Sequence, residues 1–410
     1  MYQRSVEHVT PGAVLGRTIH GPDGAPLLRA GTRLTDKYLR SLRQRGYTTI
    51  YIRDGLTDDV VPDSLISERV RSTLSDHVSA TFSRVSMVAT ERGVGSEGID
   101  ATVANLGDQP LSPDDGGDMV AQLYADVELL ITELLETDTV AGLESLHSHN
   151  EYTFQHSVDV AIIGVLLGKQ LRLPRQRLRE LALGCLLHDL GKIYLDQAIL
   201  DKPGKLTDAE FELVKEHPRM GFELIRRLPV ASLLPAHVAF QHHERQNGLG
   251  YPRGLIGRNS IDDRLVDEAI GKGQMLLIAE IGAVADVYSA LSADRPYRAA
   301  LPPDEITATL AGMAGSHLNA ELVRRLRWLV PSYPVGHWIE VTGGSHTGWR
   351  GVVTDLHLLD LERPSVRLVL DDRGEAVADP VELDLRTQLT VDIRCLGRHE
   401  VPTRDTAEVA

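Results

Sequence analysis

Apolar residues recur along this chain at two spacings, and the change between them divides it. From Met119 to Leu146 they return at helical intervals, with Leu123, Val127, Leu130, Leu134 and Leu135 on one face. This rhythm leads into a largely helical block that runs to about Leu329. Prolines punctuate it at Leu173-Pro174, Lys202-Pro203-Gly204, His217-Pro218, Leu228-Pro229 and Leu301-Pro302-Pro303. Thr207 followed by Glu210 has the form of a capping box. After Pro334 the period falls to two. Trp338–Val341, Gly351–Asp355, Val366–Leu370 and Leu389–Ile393 read as short strands joined by turns.

The start of the chain mixes both rhythms. Val14–His20 reads as a strand, Gly21-Pro22-Asp23-Gly24 as a turn, and Thr48–Arg53 as a second strand. Between them Thr35 is placed to cap a helix that carries Leu39 and Leu42 and stops at Gly46. Residues 56–90 are weakly patterned and helical, and 91–118 are rich in glycine and acid, as solvated linkers are. The pattern predicts a multidomain, mainly α protein. A small α/β unit spans 1–55, a helical segment and linker 56–118, an all-helical domain 119–330, and a small β unit of SH3-like size 335–400. Trp338 and Trp349 are expected to pack in that β unit's core.

Composition narrows the function. The 410 residues are 42% hydrophobic and 25% charged, with a net charge of −15. Such an acid excess argues against broad binding to nucleic acid or a membrane surface. It leaves room for a small anionic substrate held by a local basic cluster. No apolar run reaches the ~18 residues of a membrane span. Met1-Tyr2-Gln3-Arg4-Ser5 opens no apolar leader, and Cys185 and Cys395 make no disulfide framework. The expectation is a reduced, cytoplasmic protein.

Candidate chemistry centres on Leu181–Lys192, where an apolar run ends in His188-Asp189, then Gly191 and Lys192. A carboxylate in an apolar setting costs several kcal/mol unless hydrogen bonds or a cation compensate it. The helical block holds further candidate metal ligands: His156, His217, His242, His243 and Asp286. Each alone has a plain structural use. His156 heads an apolar stripe of Val160, Ile163 and Leu167, where a core histidine is ordinary. His217 precedes a helix-bending proline. Asp286 lies on small residues that allow close helix packing. As a set they suit a two-metal site bridged by Asp189. In such sites ions ~3.5–4 Å apart activate water and neutralise phosphate charge. Nitrogen and oxygen donors without thiolate point to iron or manganese, with zinc also admitted. Arg295 and Arg298, on a Pro-bent segment after Asp294, can clamp phosphate oxygens. Lys192 is placed to reach the same phosphate or to protonate a leaving oxygen. A surface salt bridge is the plain alternative for each of these basic residues.

These residues stand in phrases that resemble the HD-GYP family, a branch of the HD phosphohydrolases. The phrases are Tyr152-Thr153-Phe154-Gln155-His156-Ser157, His188-Asp189-Leu190-Gly191-Lys192, Lys215-Glu216-His217-Pro218, His242-His243-Glu244, Gly250-Tyr251-Pro252, and Ala285-Asp286-Val287-Tyr288 through Asp294–Arg298. They cover roughly residues 120–330. The resemblance implies an HD-type helical catalytic domain that hydrolyses cyclic di-GMP to pGpG or GMP. It assigns one metal to His156, His188, Asp189 and Asp286, and a second to Asp189, His217, His242 and His243. Asp189 and Lys192 would be catalytic, and Lys192, Arg295 and Arg298 would contact phosphate. Gly250, Tyr251 and Pro252 would shape the substrate site or receive GGDEF diguanylate cyclase domains. A homodimer is compatible with this reading. Three departures stand out. Tyr152 occupies the place of a glutamate that provides for a third metal in some members, so two metals are expected. Segment 259–274 is longer than usual, and Asn247 replaces a common aspartate. Two other functions compete: a dinucleotide-binding or cyclase-docking module with little hydrolysis, and an HD phosphohydrolase acting on another nucleotide.

Overall fold

The computed structural model describes residues 1–21, 25–45, 47, 49–53, 55–62, 65–91, 103, 118–136, 152–261, 273–294, 299–397 and 399–402. At the N-terminus, strands β1 (Tyr2–Ser5), β2 (Val14–Leu15), β3 (Ile19–His20), β4 (Pro26–Leu28) and β5 (Thr49–Arg53) accompany helix α1 (Asp36–Gln44). β5 lies between β1 and β2, antiparallel to both. The single strand expected over Val14–His20 is two. At Gly16 the backbone N–H donates to the Tyr51 carbonyl, and β3 then leaves to pair with β4. Thr35 caps α1 by accepting from the Tyr38 N–H, and Leu39 and Leu42 face the core.

The middle of the chain is helical: α2 (Glu68–Glu91), α3 (Asp118–Glu136), α4 (Tyr152–Gln170), α5 (Arg175–Leu187), a 3₁₀ turn (Leu190–Tyr194), α6 (Gln197–Leu200), α7 (Asp208–Val214), α8 (His217–Ile225), α9 (Leu234–Gln241), α10 (Leu277–Ser292), α11 (Pro303–Met313) and α12 (Ala320–Leu326). The weakly patterned segment after residue 56 becomes the long helix α2. Its Val70, Leu74, Val78, Phe82 and Val85 make one stripe that joins the same core as α3, α4 and α5. Two buried carboxylates fix its position: Asp159 of α4 pairs with Arg71, and Asp126 of α3 with His77. α4, α10 and the second half of α5, Leu181–Leu187, are buried on nearly all sides, and their sequences are correspondingly apolar around most of the helix. Small residues let them close up. A Cβ at Gly184 of α5 or at Gly282 of α10 would lie 2.7 Å or 2.8 Å from the Val238 side chain of α9. The capping box at Thr207 and Glu210 forms as its sequence predicts. Among the described residues, no helix is long and apolar enough to cross a membrane.

The C-terminal sheet is antiparallel, in the order β10 (Asp392–Cys395), β6 (Trp338–Gly343), β7 (Arg350–Asp355), β8 (Ser365–Leu370), β9 (Ala376–Asp384). The strand expected at Leu389–Ile393 begins only at Asp392, and Leu389 stands 72% exposed in the preceding turn. β9 has no counterpart in the sequence reading, because Pro380 and its acidic residues disguise it. An edge strand tolerates both. Strand alternation divides this sheet between two cores. Ile339, Val341 and Val353 pack within it. Trp338 and Val352 instead pack on Tyr2, Leu15, Ile50 and Ile52 from the start of the chain. The Tyr2 and Trp338 rings meet edge to face at 5.6 Å, and Arg367 pairs with Asp59. The two ends of the chain therefore share a hydrophobic core, with the helical block between them in sequence.

Candidate metal centre

Five elements deliver the polar side chains to one place. His156 lies in the first turns of α4, His188 caps the C-terminus of α5, and Asp189 follows it. The chain then tightens into the 3₁₀ turn, whose Gly191 lies against the start of α8. A Cβ at Gly191 would fall 2.0 Å from the His217 carbonyl oxygen and 2.5 Å from the Gly221 nitrogen. Only glycine lets the His-Asp turn and His217 approach this closely. α9 ends at His242, with His243 next, and α10 supplies Asp286.

Local backbone fixes the ring orientations. The Nδ1–H of His188 donates to the Cys185 carbonyl at 2.7 Å, that of His217 to Val214 at 2.6 Å, and that of His242 to Ala239 at 2.7 Å. A carbonyl only accepts, so Nδ1 carries a proton in each ring and Nε2 is the nitrogen turned toward the cluster. His156 Nδ1 pairs with the Ser289 hydroxyl at 2.8 Å, and its Nε2 lies 3.1 Å from Asp286 Oδ1.

The bare nitrogens converge. His217 Nε2 and His242 Nε2 are 3.3 Å apart. Two lone pairs at that distance repel one another unless a positive charge lies between or beside them. Asp189 Oδ1 is 3.5 Å from His217 Nε2 and 3.9 Å from His242 Nε2, while Oδ2 is 3.3 Å from His188 Nε2. His188 Nε2 and Asp189 Oδ1 are enclosed and make no hydrogen bond among the described residues. Ligand atoms of His156, His188 and Asp286 lie within 4.8 Å of one another, as do those of His217, His242 and His243, and of His188, Asp189 and His242. Asp189 thus turns one oxygen toward each histidine group.

Electrostatics set the protonation. Burial depresses His217 to about 3 and His242 to about 4, so both are neutral at pH 7. Burial also holds His243 well below the usual imidazole range. It pushes the Asp189 carboxyl up, but His188 and Lys192 outweigh it and keep Asp189 ionised, well below the usual carboxylate range. Asp286 is kept ionised in the same way by His156 and His188. His217, His242 and His243 therefore offer neutral imidazoles to a cation. Burial pushes His188 down as well, but Asp189 and Asp286 outweigh it and hold it above the usual imidazole range, so a cation there would displace its proton. The donor set of nitrogen and oxygen suits a divalent transition metal. Cys185, one turn before His188, is fully buried, and burial pushes its thiol up, so it stays a core residue.

Two supporting residues escaped the sequence reading. Glu244 is buried and accepts from the Arg253 and Leu255 N–H groups at 2.7 Å and 2.8 Å, so the Gly-Tyr-Pro loop winds around its carboxylate. Its adjacency to two ligand histidines in an apolar setting was the available signal. Ser289 holds His156, and its signal was its place three residues after Asp286 on the same helix face. Asn247 forms an Asx turn by accepting from the Leu249 N–H at 3.0 Å. Gly250 passes close to Glu244, and the Tyr251 ring stacks on His243 with centroids 4.8 Å apart. Pro252 follows through a cis peptide. Lys192 reaches the cluster's rim, where Nζ donates to Asp189 Oδ2 at 2.6 Å. Arg295 and Arg298 lie outside the described residues, as do 262–272 of the long segment.

Residues 144–322 match the HD domain family. The chain is 34% identical over 258 residues to a cyclic di-GMP phosphodiesterase of Pseudomonas aeruginosa, covering 63% of this chain and 58% of that protein. It is 36% identical over 193 residues to a 3'3'-cGAMP-specific phosphodiesterase of Vibrio cholerae, covering 47% and 38%. It is 40% identical over 166 residues to the cyclic di-GMP phosphodiesterase response regulator RpfG of Xanthomonas campestris, covering 39% of each. The chain thus spans less than two thirds of each of these relatives. Among solved structures, an HD-GYP-type protein of Bdellovibrio bacteriovorus aligns over 79% of this chain and 97% of its own, at 16% identity and a TM-score of 0.38. Residues 144–322 thus carry an HD domain, and the chain is similar over that region to these cyclic dinucleotide phosphodiesterases.

Proposed function

We propose that the protein is a metal-dependent phosphodiesterase that hydrolyses cyclic di-GMP to pGpG and/or GMP in second-messenger signalling in the cytoplasm. The observation that carries this is the convergence of two histidine groups on one ionised carboxylate, Asp189. Residues 119–330 are its catalytic part, and 1–55 and 335–400 its flanking units. One divalent ion would be held by His156, His188, Asp189 and Asp286, and a second by Asp189, His217, His242 and His243. Iron or manganese suits this donor set best, and zinc is admitted. When bound, such ions supply Lewis acidity and activated water for attack on phosphorus.

The chain's own groups do the rest. Asp189 stays ionised between the two histidine sets and joins them. Lys192, now on Asp189 Oδ2, is within reach of a leaving oxygen and holds a proton there. Arg295 and Arg298 bind the phosphates. Gly250, Tyr251 and Pro252 wall the substrate side, with the Tyr251 ring anchored on His243. Leu249, 76% exposed at the tip of the same loop, is where a GGDEF domain would dock. A second reading is supported by the relatives named as 3'3'-cGAMP phosphodiesterases: the substrate would carry one adenine.

The test is turnover of cyclic di-GMP, 3'3'-cGAMP and nucleoside triphosphates by the purified protein, with product analysis. Cyclic di-GMP is expected to be cleaved fastest. Combining His188→Ala with Asp189→Ala should lower the rate by at least ~10³-fold while leaving the helical circular dichroism in place. Turnover surviving that change would place the chemistry elsewhere, and binding without any product would leave a sensor.

A further inference from the structure

The seam between the two ends of the chain encloses a guanidinium that nothing described there satisfies. Arg4 lies in β1 opposite Ile50 of β5, and Tyr2 opposite Ile52. Alternation along the strand puts Tyr2 and Arg4 on one face. Tyr2 meets Trp338 of β6 on that face. Arg4 therefore belongs to the surface along which the N-terminal strands pack on the C-terminal sheet, and it is 5% exposed. Its Nε and Nη2 are enclosed and make no hydrogen bond to any described residue. The indole Nε1 of Trp338 is enclosed and unsatisfied in the same way.

Three properties of this arrangement point to a ligand. Arginine cannot shed its proton to escape burial, so the charge stays. The unsatisfied atoms are Nε and Nη2, whose N–H bonds point the same way. They form the edge of the guanidinium that takes two oxygens of one carboxylate or phosphate side by side. Nor does the chain lack acids: it has 58 Asp and Glu against 43 Lys and Arg. Elsewhere in the same seam Arg367 has two of them, Asp59 and Glu382. We propose that Arg4 and the Trp338 indole form an oxyanion-binding site in the terminal module, taking the phosphate or carboxylate group of a small molecule. Because one donor comes from the first strand and the other from β6, the bound oxyanion would tie the two ends together. The site is built from none of the candidate metal ligands.

The experiment is thermal unfolding of the full-length protein at constant ionic strength and fixed metal content. Chloride is replaced stepwise by inorganic phosphate in one arm and by acetate in the other. The expected result is a saturable rise in melting temperature with one of them, about 3 °C at concentrations far above half-saturation. Phosphate acting alone identifies a phosphate ligand, and acetate acting alone a carboxylate. Arg4→Met, an apolar side chain of similar reach, should abolish the rise. In chloride it should melt no lower than wild type, since it removes a buried charge without a partner. Arg4→Lys keeps the charge and loses the two-pronged edge, so its half-saturation should be at least about tenfold weaker. The proposal fails if neither anion raises the wild-type melting temperature, or if the rise persists in Arg4→Met. It fails equally if Arg4→Met melts lower than wild type in chloride, because the chain itself would then be supplying the partner. Should Arg4→Met not fold, an unchanged half-saturation in Arg4→Lys overturns it.

Discussion

The helical block and the terminal module bury polar groups under different kinds of control. In the helical block His188, His217 and His242 each donate to a carbonyl three residues back, so short stretches of sequence set the ring orientation. Helix packing then only has to bring pre-aimed nitrogens together. In the terminal module the decisive contacts join distant positions: Tyr2 to Trp338, and Asp59 to Arg367. Neither end can complete that core alone. The comparison teaches that a site built of locally oriented ligands tolerates neighbours that fold separately, while a module assembled from both chain ends is all or none.

The largest expected effect breaks the module. Trp338→Ala removes a buried indole from the shared core and should destabilise it by about 4 kcal/mol. Limited proteolysis should then cut within residues 1–60 and within 338–396 at the same rate, with most helical signal surviving. Cleavage confined to the C-terminal sheet would show that the N-terminal strands stand alone. Next comes Gly191→Ala, whose methyl group would collide with the His217 carbonyl. α8 must shift, so a loss of about 3 kcal/mol in thermal stability is expected together with weaker metal retention. Normal metal content would show that the close approach is not needed. Smallest is Ser289→Ala, which takes the partner from His156 Nδ1. Metal titration should show about 10–100-fold weaker binding with an unchanged melting temperature of the metal-free protein. Ser289→Thr, which keeps the hydroxyl, should recover most of it.

Much of the helical block was legible in the sequence because its signals are local. Leu123, Val127, Leu130 and Leu134 are buried in the core as read, whereas Leu135, placed on the same face, stands 37% exposed because it lies one residue round the helix from Leu134. Thr35 and Thr207 cap as their neighbours indicate. Asp189 stood out because a carboxylate ends an apolar run, and the structure brings His156, His217, His242, His243 and Asp286 to it. What was hidden has physical reasons. β9 carries Pro380 and acids that only an edge strand permits. Glu244 acts on the backbone of a loop nine and eleven residues further on, which leaves no periodic trace. The common core of the two chain ends rests on contacts that no window of sequence spans.

The central claim is that His156, His188, Asp189, His217, His242, His243 and Asp286 share their cations. Elemental analysis of protein purified without added metal tests it most directly, with wild type compared against the chain carrying both His188→Ala and Asp189→Ala. Two divalent ions per chain are expected in the wild type and none in the double variant, with both equally folded. Equal metal content in the two proteins would contradict the account, and so would a metal-free wild type that takes up no ion on titration.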